Sequence, residues 1–186
     1  PEALAQLTQM IGARPVFAAA STHGEEEAMV GRAYAALKAS RPELLLLLAP
    51  RHPERGPEIA ETLRGLGLAV SRRGAKVRIV PETNVYLMDT IGELGLLYRT
   101  APFAFVGGSL VAHGGQNPLE PARLGVAPVH GPHVFNFTAE YDEMDRLGAT
   151  RVRMAATSAA CDGCHRYENT LGVVGITHRQ PERGKR

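Results

Sequence analysis

The sequence contains no tryptophan, and five Tyr with five Phe bring aromatics to only 5% of residues. Single-stranded nucleic acid is gripped largely by stacking bases on aromatic side chains, so this composition argues against that partner. Cysteine is nearly as scarce, with only Cys161 and Cys164. Everything before them must fold without a disulfide framework, which suits a reducing, cytoplasmic compartment. Long apolar runs are missing too. The longest, Leu44 to Ala49, falls far short of the ~20 residues a helix needs to span a bilayer. No secretory signal pattern is visible. The first residue is Pro1 rather than Met, so a piece of a longer protein is expected. A large charge of one sign is also lacking, since the formal net charge is +2. It is unevenly spread: from Arg151 onward seven Lys/Arg stand against three Asp/Glu, and the first 150 residues are slightly acidic. The body therefore carries no electrostatic footprint for nucleic acid.

What is present is 186 residues, 44% hydrophobic, enough for one domain with a real core. Short apolar runs alternate with helical patterns. Strands are expected at 15–20, 44–49, 68–71, 77–80, 103–106 and 127–129, and helices at 25–39, 57–66, 86–98 and 118–124. Leu44 to Ala49 is apolar at every position, as a strand buried on both faces of a parallel sheet must be. The alternation predicts an α/β fold with a parallel sheet and flanking helices. From Arg151 no clear period remains. The expected division is a domain over 1–149 and a divergent segment over 150–186.

In open α/β sheets ligands bind beyond the carboxyl ends of the strands, where helix N-termini offer unsatisfied N–H groups. Three strand–helix junctions carry a capping-box spacing. The first is Ser21-Thr22-His23-Gly24-Glu25, with Thr22 as cap. The second is Asp89-Thr90-Ile91-Gly92-Glu93, with Thr90 as cap. The third runs from Val106 to Glu120, with Asn117 as cap and Pro118 at the first helical position. Each such motif also closes ordinary helices. Three in one chain favour a nucleotide cleft without naming the nucleotide. Arg51 follows the second apolar run directly, where a guanidinium can hold a phosphate or carboxylate bidentately or simply face solvent.

The ordered set Ala20-Ser-Thr-His-Gly-Glu-Glu-Glu27, Ala49-Pro-Arg-His-Pro-Glu-Arg55, Asp89-Thr-Ile-Gly-Glu-Leu94, Phe105-Val-Gly-Gly-Ser-Leu110 and His113-Gly-Gly-Gln-Asn-Pro-Leu-Glu-Pro121 closely resembles one family. It is the C-terminal domain of the 3-deoxy-D-manno-octulosonic acid (Kdo) transferases. The resemblance implies a GT-B architecture, in which this half is a Rossmann-like domain holding the donor CMP-Kdo. It matches the CMP-contacting segments to Pro50 and Arg51, to Ile91, Gly92 and Glu93, and to Asn117, Pro118, Leu119 and Glu120. Ser21, Thr22 and His23 resemble a phosphate-side loop. Ile91 stands where the family often has Met. The implied reaction is a metal-independent inverting transfer of Kdo to the lipid A precursor at the cytoplasmic face of the inner membrane, with no cofactor. Its general base lies in the N-terminal half, so no catalytic residue is expected here and the chain alone should not turn over donor. No membrane span and no nucleic-acid partner are expected. A GT-B transferase using a UDP- or GDP-sugar, or a nucleotide-binding module without chemistry, are the alternatives. Cys161-Asp-Gly-Cys164-His165 spells a c-type haem attachment motif, read as chance because nothing else suggests export; zinc there would lack a fourth ligand.

Overall fold

The computed structural model describes residues 2–150. Within them six strands form one sheet in the order β3-β4-β2-β1-β5-β6, and every pairing is parallel. The strands are β1 (Val16–Thr22), β2 (Leu45–Pro50), β3 (Val70–Arg72), β4 (Val85–Leu87), β5 (Phe103–Val106) and β6 (Ala127–Val129). The helices are α1 (Glu2–Ile11), α2 (Gly24–Ser40), α3 (Gly56–Gly65), α4 (Leu94–Tyr98), α5 (Leu119–Ala122) and α6 (Thr138–Arg146). A short 3-10 turn at Pro53–Arg55 precedes α3.

Successive strand residues point to opposite faces, and here both faces are covered. Phe17, Ala19, Leu46, Leu48, Val85, Leu87 and Phe105 face α2 and α3, meeting Val30, Tyr34, Ile59 and Leu63. Val16, Ala18, Leu45, Leu47, Tyr86 and Ala104 face the other way, toward Leu7 and Ile11 of α1 and Leu97 and Tyr98 of α4. This double burial is why β2 has no polar position.

The structure corrects several expectations. Residues 77–80 are not a strand. The chain from β3 to β4 crosses back without a helix, and this segment is the crossover: Ile79 packs into the α1-side core, while Val77 and Val80 are each 47% exposed. The expected helix over 86–98 splits. Val85–Leu87 is buried between β2 and β3, so tertiary pairing overrides the helical pattern, and helix resumes only at Leu94. The third strand lies at 70–72 rather than 68–71. Helix α5 is a single turn, Leu119–Ala122, rather than 118–124. Helices α1 and α6 were not anticipated. The 150–186 segment lies outside the described residues except for Thr150, and so do Cys161, Cys164 and His165.

Candidate functional site

Because all strands run parallel, the loops after β4, β2, β1 and β5 lie side by side along one rim. After β2 the chain steps outward from β1 in one direction, and after β4 it returns to build β5 on the other side of β1. That reversal is the switch point at which open α/β sheets leave a crevice. The end of β1 is bulged there: pairing shifts register between Ala20 and Thr22, and Ser21 adopts φ 54, a left-handed backbone rare outside glycine.

A cleft of about 320 Å³ opens between the loops after β2 and β4, with Ser21 at its edge. Ala49 and Met88 line it together with Pro50, Arg51 and His52 from one loop and Thr90 to Leu94 from the other. The Arg51 backbone N–H donates to the Thr22 carbonyl at 2.9 Å, tying two strand ends together. Its side chain is exposed and has no carboxylate partner among the described residues. Such a guanidinium is available for an oxyanion.

Opposite, Glu93 is held by a two-pronged ion pair. Arg73 Nε and Nη2 donate to its two carboxylate oxygens, both at 2.5 Å, and the Thr90 hydroxyl also donates to it. The Arg73 hydrogen bonds hold the Glu93 carboxyl below the usual carboxylate range. Thr90 was expected to cap a helix; instead it bonds the Glu93 side chain, and Glu93 itself occupies the N-cap position of α4. Between them Gly92 adopts φ +80, which glycine tolerates best, and Ile91 projects 90% exposed at the cleft mouth.

The first junction differs by one residue from expectation. Thr22 is fully buried as the last residue of β1, and its hydroxyl lies 3.5 Å from Glu27 Oε1. His23 is the N-cap of α2, and its N–H donates to Glu26 at 2.9 Å. Glu26 is completely buried and also accepts from the backbone N–H groups of Gly108, Ser109 and Leu110 at 2.6, 3.0 and 2.9 Å. One carboxylate thus closes the start of α2 and fastens the loop after β5 to it. Gly107 makes this approach feasible: a Cβ there would stand 2.3 Å from the Ser21 carbonyl oxygen.

The third junction is also adjusted. Pro118, not Asn117, sits at the N-cap of α5, and Asn117 Oδ1 accepts from the Leu119 N–H at 2.9 Å, an Asx-type turn. Asn117 and Glu120 are exposed. Glu120 lies near buried Tyr98, whose hydroxyl pKa is raised mainly by burial and further by that carboxylate. The structure therefore brings Pro50, Arg51, Ile91, Gly92 and Glu93 into one cleft with Ser21. Asn117, Pro118, Leu119 and Glu120 stand farther along the same rim and do not line it. Sequence reasoning missed Glu26 and Arg73, whose partners lie 82 and 20 residues away, beyond any local pattern. Among the described residues no group of three His, Cys, Asp or Glu converges as metal ligands, and no helix is long and apolar enough to cross a membrane.

No family model matches the chain. It is 46% identical over 124 residues to the 3-deoxy-D-manno-octulosonic acid transferase of Haemophilus influenzae, covering 67% of this chain and 29% of that protein. The Bordetella pertussis enzyme of the same name is 46% identical over 128 residues, covering 67% of this chain and 30% of that protein. The chain thus spans under a third of the length of these curated relatives. Among solved structures, the C-terminal CMP-Kdo binding domain of WaaA from Acinetobacter baumannii superposes with a TM-score of 0.77 at 36% identity, covering 92% of this chain and 88% of that one. Parallel sheet, switch-point cleft and these likenesses define a Rossmann-like α/β domain of the glycosyltransferase type. The chain belongs to the Kdo transferase family, and it corresponds to the C-terminal domain.

Proposed function

We propose that this chain holds the donor CMP-Kdo for a Kdo transferase, with the nucleotide in the cleft between Arg51 and the 91–93 turn. The observation that carries this is an unpartnered guanidinium facing a turn fixed by the Arg73–Glu93 pair, at the switch point of a parallel sheet. Pro50, Arg51, Ile91, Gly92 and Glu93 form the near wall. Asn117, Pro118, Leu119 and Glu120 meet the nucleotide farther along the rim, and Ser21 and His23 stand on the phosphate side, with Thr22 buried beneath them. The cleft volume of about 320 Å³ is at the small end of the range for ligand pockets, as expected for one half of an interdomain site.

The resemblance supplies the rest of the reaction. A carboxylate from the N-terminal half takes the proton of the acceptor hydroxyl, and that oxygen displaces CMP from the sugar with inversion. Negative charge grows on the departing phosphate. Arg51, a cation lining the cleft and unpartnered among the described residues, is the group this reading assigns to stabilise it. The acceptor is the lipid A precursor, presented at the cytoplasmic face of the inner membrane. No cofactor or metal takes part in this scheme.

Calorimetric titration tests the proposal. CMP should bind the chain, UMP and GDP at least about tenfold more weakly, and Arg51→Ala should cost CMP about tenfold, the usual scale for a charge-assisted contact. Equal affinity for all three nucleotides would remove cytidine from the proposal and favour a UDP- or GDP-sugar transferase. No binding of any nucleotide would end it. The chain alone should show no transfer to lipid A precursor.

A further inference from the structure

Three imidazoles meet on the rim, each from a different strand end: His23 after β1, His52 after β2 and His113 after β5. The His23 and His113 rings stack with centroids 4.5 Å apart at 26°, and His52 meets His23 edge-on at 5.8 Å. The side-chain nitrogen of Gln116 lies 3.0 Å from His23 Nε2. An amide nitrogen only donates, so in this orientation Nε2 accepts and the proton sits on Nδ1. Helix α6 helps to hold Gln116, since the Tyr141 hydroxyl donates to its carbonyl at 3.0 Å.

The charges around this cluster do not balance locally. From α2, Glu26 is occupied by four backbone N–H groups, and Glu27 lies 3.3 Å from Arg55. From the start of α3, Glu58 also pairs with Arg55, at 3.0 Å. From the loop after β2, Glu54 reaches His52 Nδ1 at 3.3 Å, and Arg51 has no carboxylate partner among the described residues. The loop after β5 contributes only His113 and Gln116. Basic groups from three loops therefore converge with most neighbouring carboxylates already committed. They do not converge as metal ligands among the described residues.

We propose that His23, His52, His113 and Gln116, with Arg51 on the cleft side, form an oxyanion subsite that takes the acidic group of the donor, either its phosphate or the carboxylate of the transferred sugar acid. This rests on the donor-binding function proposed above. Burial first, then His113, His52, Arg51 and Arg55, lower the His23 pKa to about 4 in the unliganded protein. An anion seated among these groups opposes the same repulsion, so binding favours a proton on His23. On protonation the Gln116 amide can turn over and accept from Nε2–H. Affinity for the anion then rises as pH falls toward the His23 value of about 4.

The test is NMR of the histidine ring resonances in the full 186-residue chain, titrated separately with cytidine, CMP and free Kdo. Cytidine should leave the His23 and His113 rings unmoved and move the Ile91 and Gly92 backbone signals. CMP should move these and the three imidazoles if phosphate is the occupant; free Kdo should move the imidazoles if carboxylate is. His113→Gln should weaken the responding anion about fivefold without changing cytidine, with an unchanged amide spectrum confirming the fold. CMP that perturbs Ile91 and Gly92 while neither anion reaches the imidazoles would overturn the subsite and leave the donor cleft intact. Kdo that moves the imidazoles while CMP is silent everywhere would keep the subsite and overturn the nucleotide cleft. Silence to all three ligands would overturn both.

Discussion

Glu26 shows how one side chain can organise a rim. Nothing in Glu25-Glu26-Glu27 marks the middle acid as the one that takes up the backbone donors. Yet it has no exposed surface and accepts four charge-assisted backbone N–H bonds, at 2.6, 2.9, 2.9 and 3.0 Å. Glu26→Ala would leave those donors buried without acceptors. A loss of about 3 kcal/mol or more is expected in urea denaturation, because an unmet buried polar group costs more than its bond contributes. Glu26→Gln keeps the shape but turns an amide N–H toward a donor, so a loss of roughly 1–2 kcal/mol is expected. Near-equal stability of wild type and Glu26→Ala would show that the loop after β5 is fastened by something else. Arg51 was legible at this scale, because an Arg placed directly after a buried strand must emerge at the rim. Glu26 and Arg73 were not, because their roles exist only once distant segments meet.

At the scale of elements, Gly107 is the contact on which the first and third junctions depend. Its N–H donates to the Ala20 carbonyl at 2.8 Å, and a Cβ would meet the Ser21 and Thr22 backbone at 2.3–2.6 Å. Backbone cannot swing aside as a side chain can. Gly107→Ala should therefore cost about 1–3 kcal/mol of stability and loosen the packing of Gly108 against His23. Thermal unfolding measures the first effect, and CMP titration measures the second as a weaker affinity. The turn at 89–93 carries a related expectation. Arg73→Ala should weaken CMP binding about as much as Glu93→Gln does, and the double substitution should add little further, since both remove one coupled pair. Additive losses in a double-mutant cycle would show that Arg73 and Glu93 act separately. The longer elements were readable: α2 and α3 have length and a burial face, and β2 is apolar throughout. Strand β4 was not readable, because Val85-Tyr86-Leu87 takes its state from pairing with β2 and β3. The crossover at 77–80 has strand-like composition but pairs with no strand of the sheet.

For the molecule as a whole, the rim makes stability depend on pH. His23 has a folded pKa of about 4 against 6.5 unfolded, so below pH 6.5 the unfolded chain binds a proton that the folded one refuses. Stability is therefore lost as pH falls from 6.5 toward 4. Glu93 adds to the loss at the acid end: its lowered pKa supports folding above 4.5, and that support disappears as pH falls through the folded value. Glu27 acts oppositely, because burial raises its pKa and protonation relieves the cost. Urea midpoints should fall between pH 7.5 and pH 5, and His23→Gln should flatten that part of the profile. An unchanged slope in His23→Gln would mean that His23 does not carry the effect.

The sequence by itself determined the class of fold, because apolar runs long enough to be strands, separated by amphipathic helices, bury both faces of a sheet in only one economical way. It also pointed to one rim as the place for a ligand, since such a sheet sends its helix N-termini there. Only the tertiary structure decided which residues share that rim at bonding distance. It brought Arg51 and the 91–93 turn into one cleft that Glu120 does not line, bound Glu26 to backbone amides, and gathered three histidines from three loops. Those outcomes depend on strand order and loop packing, and neither is written in the spacing of residues along the chain.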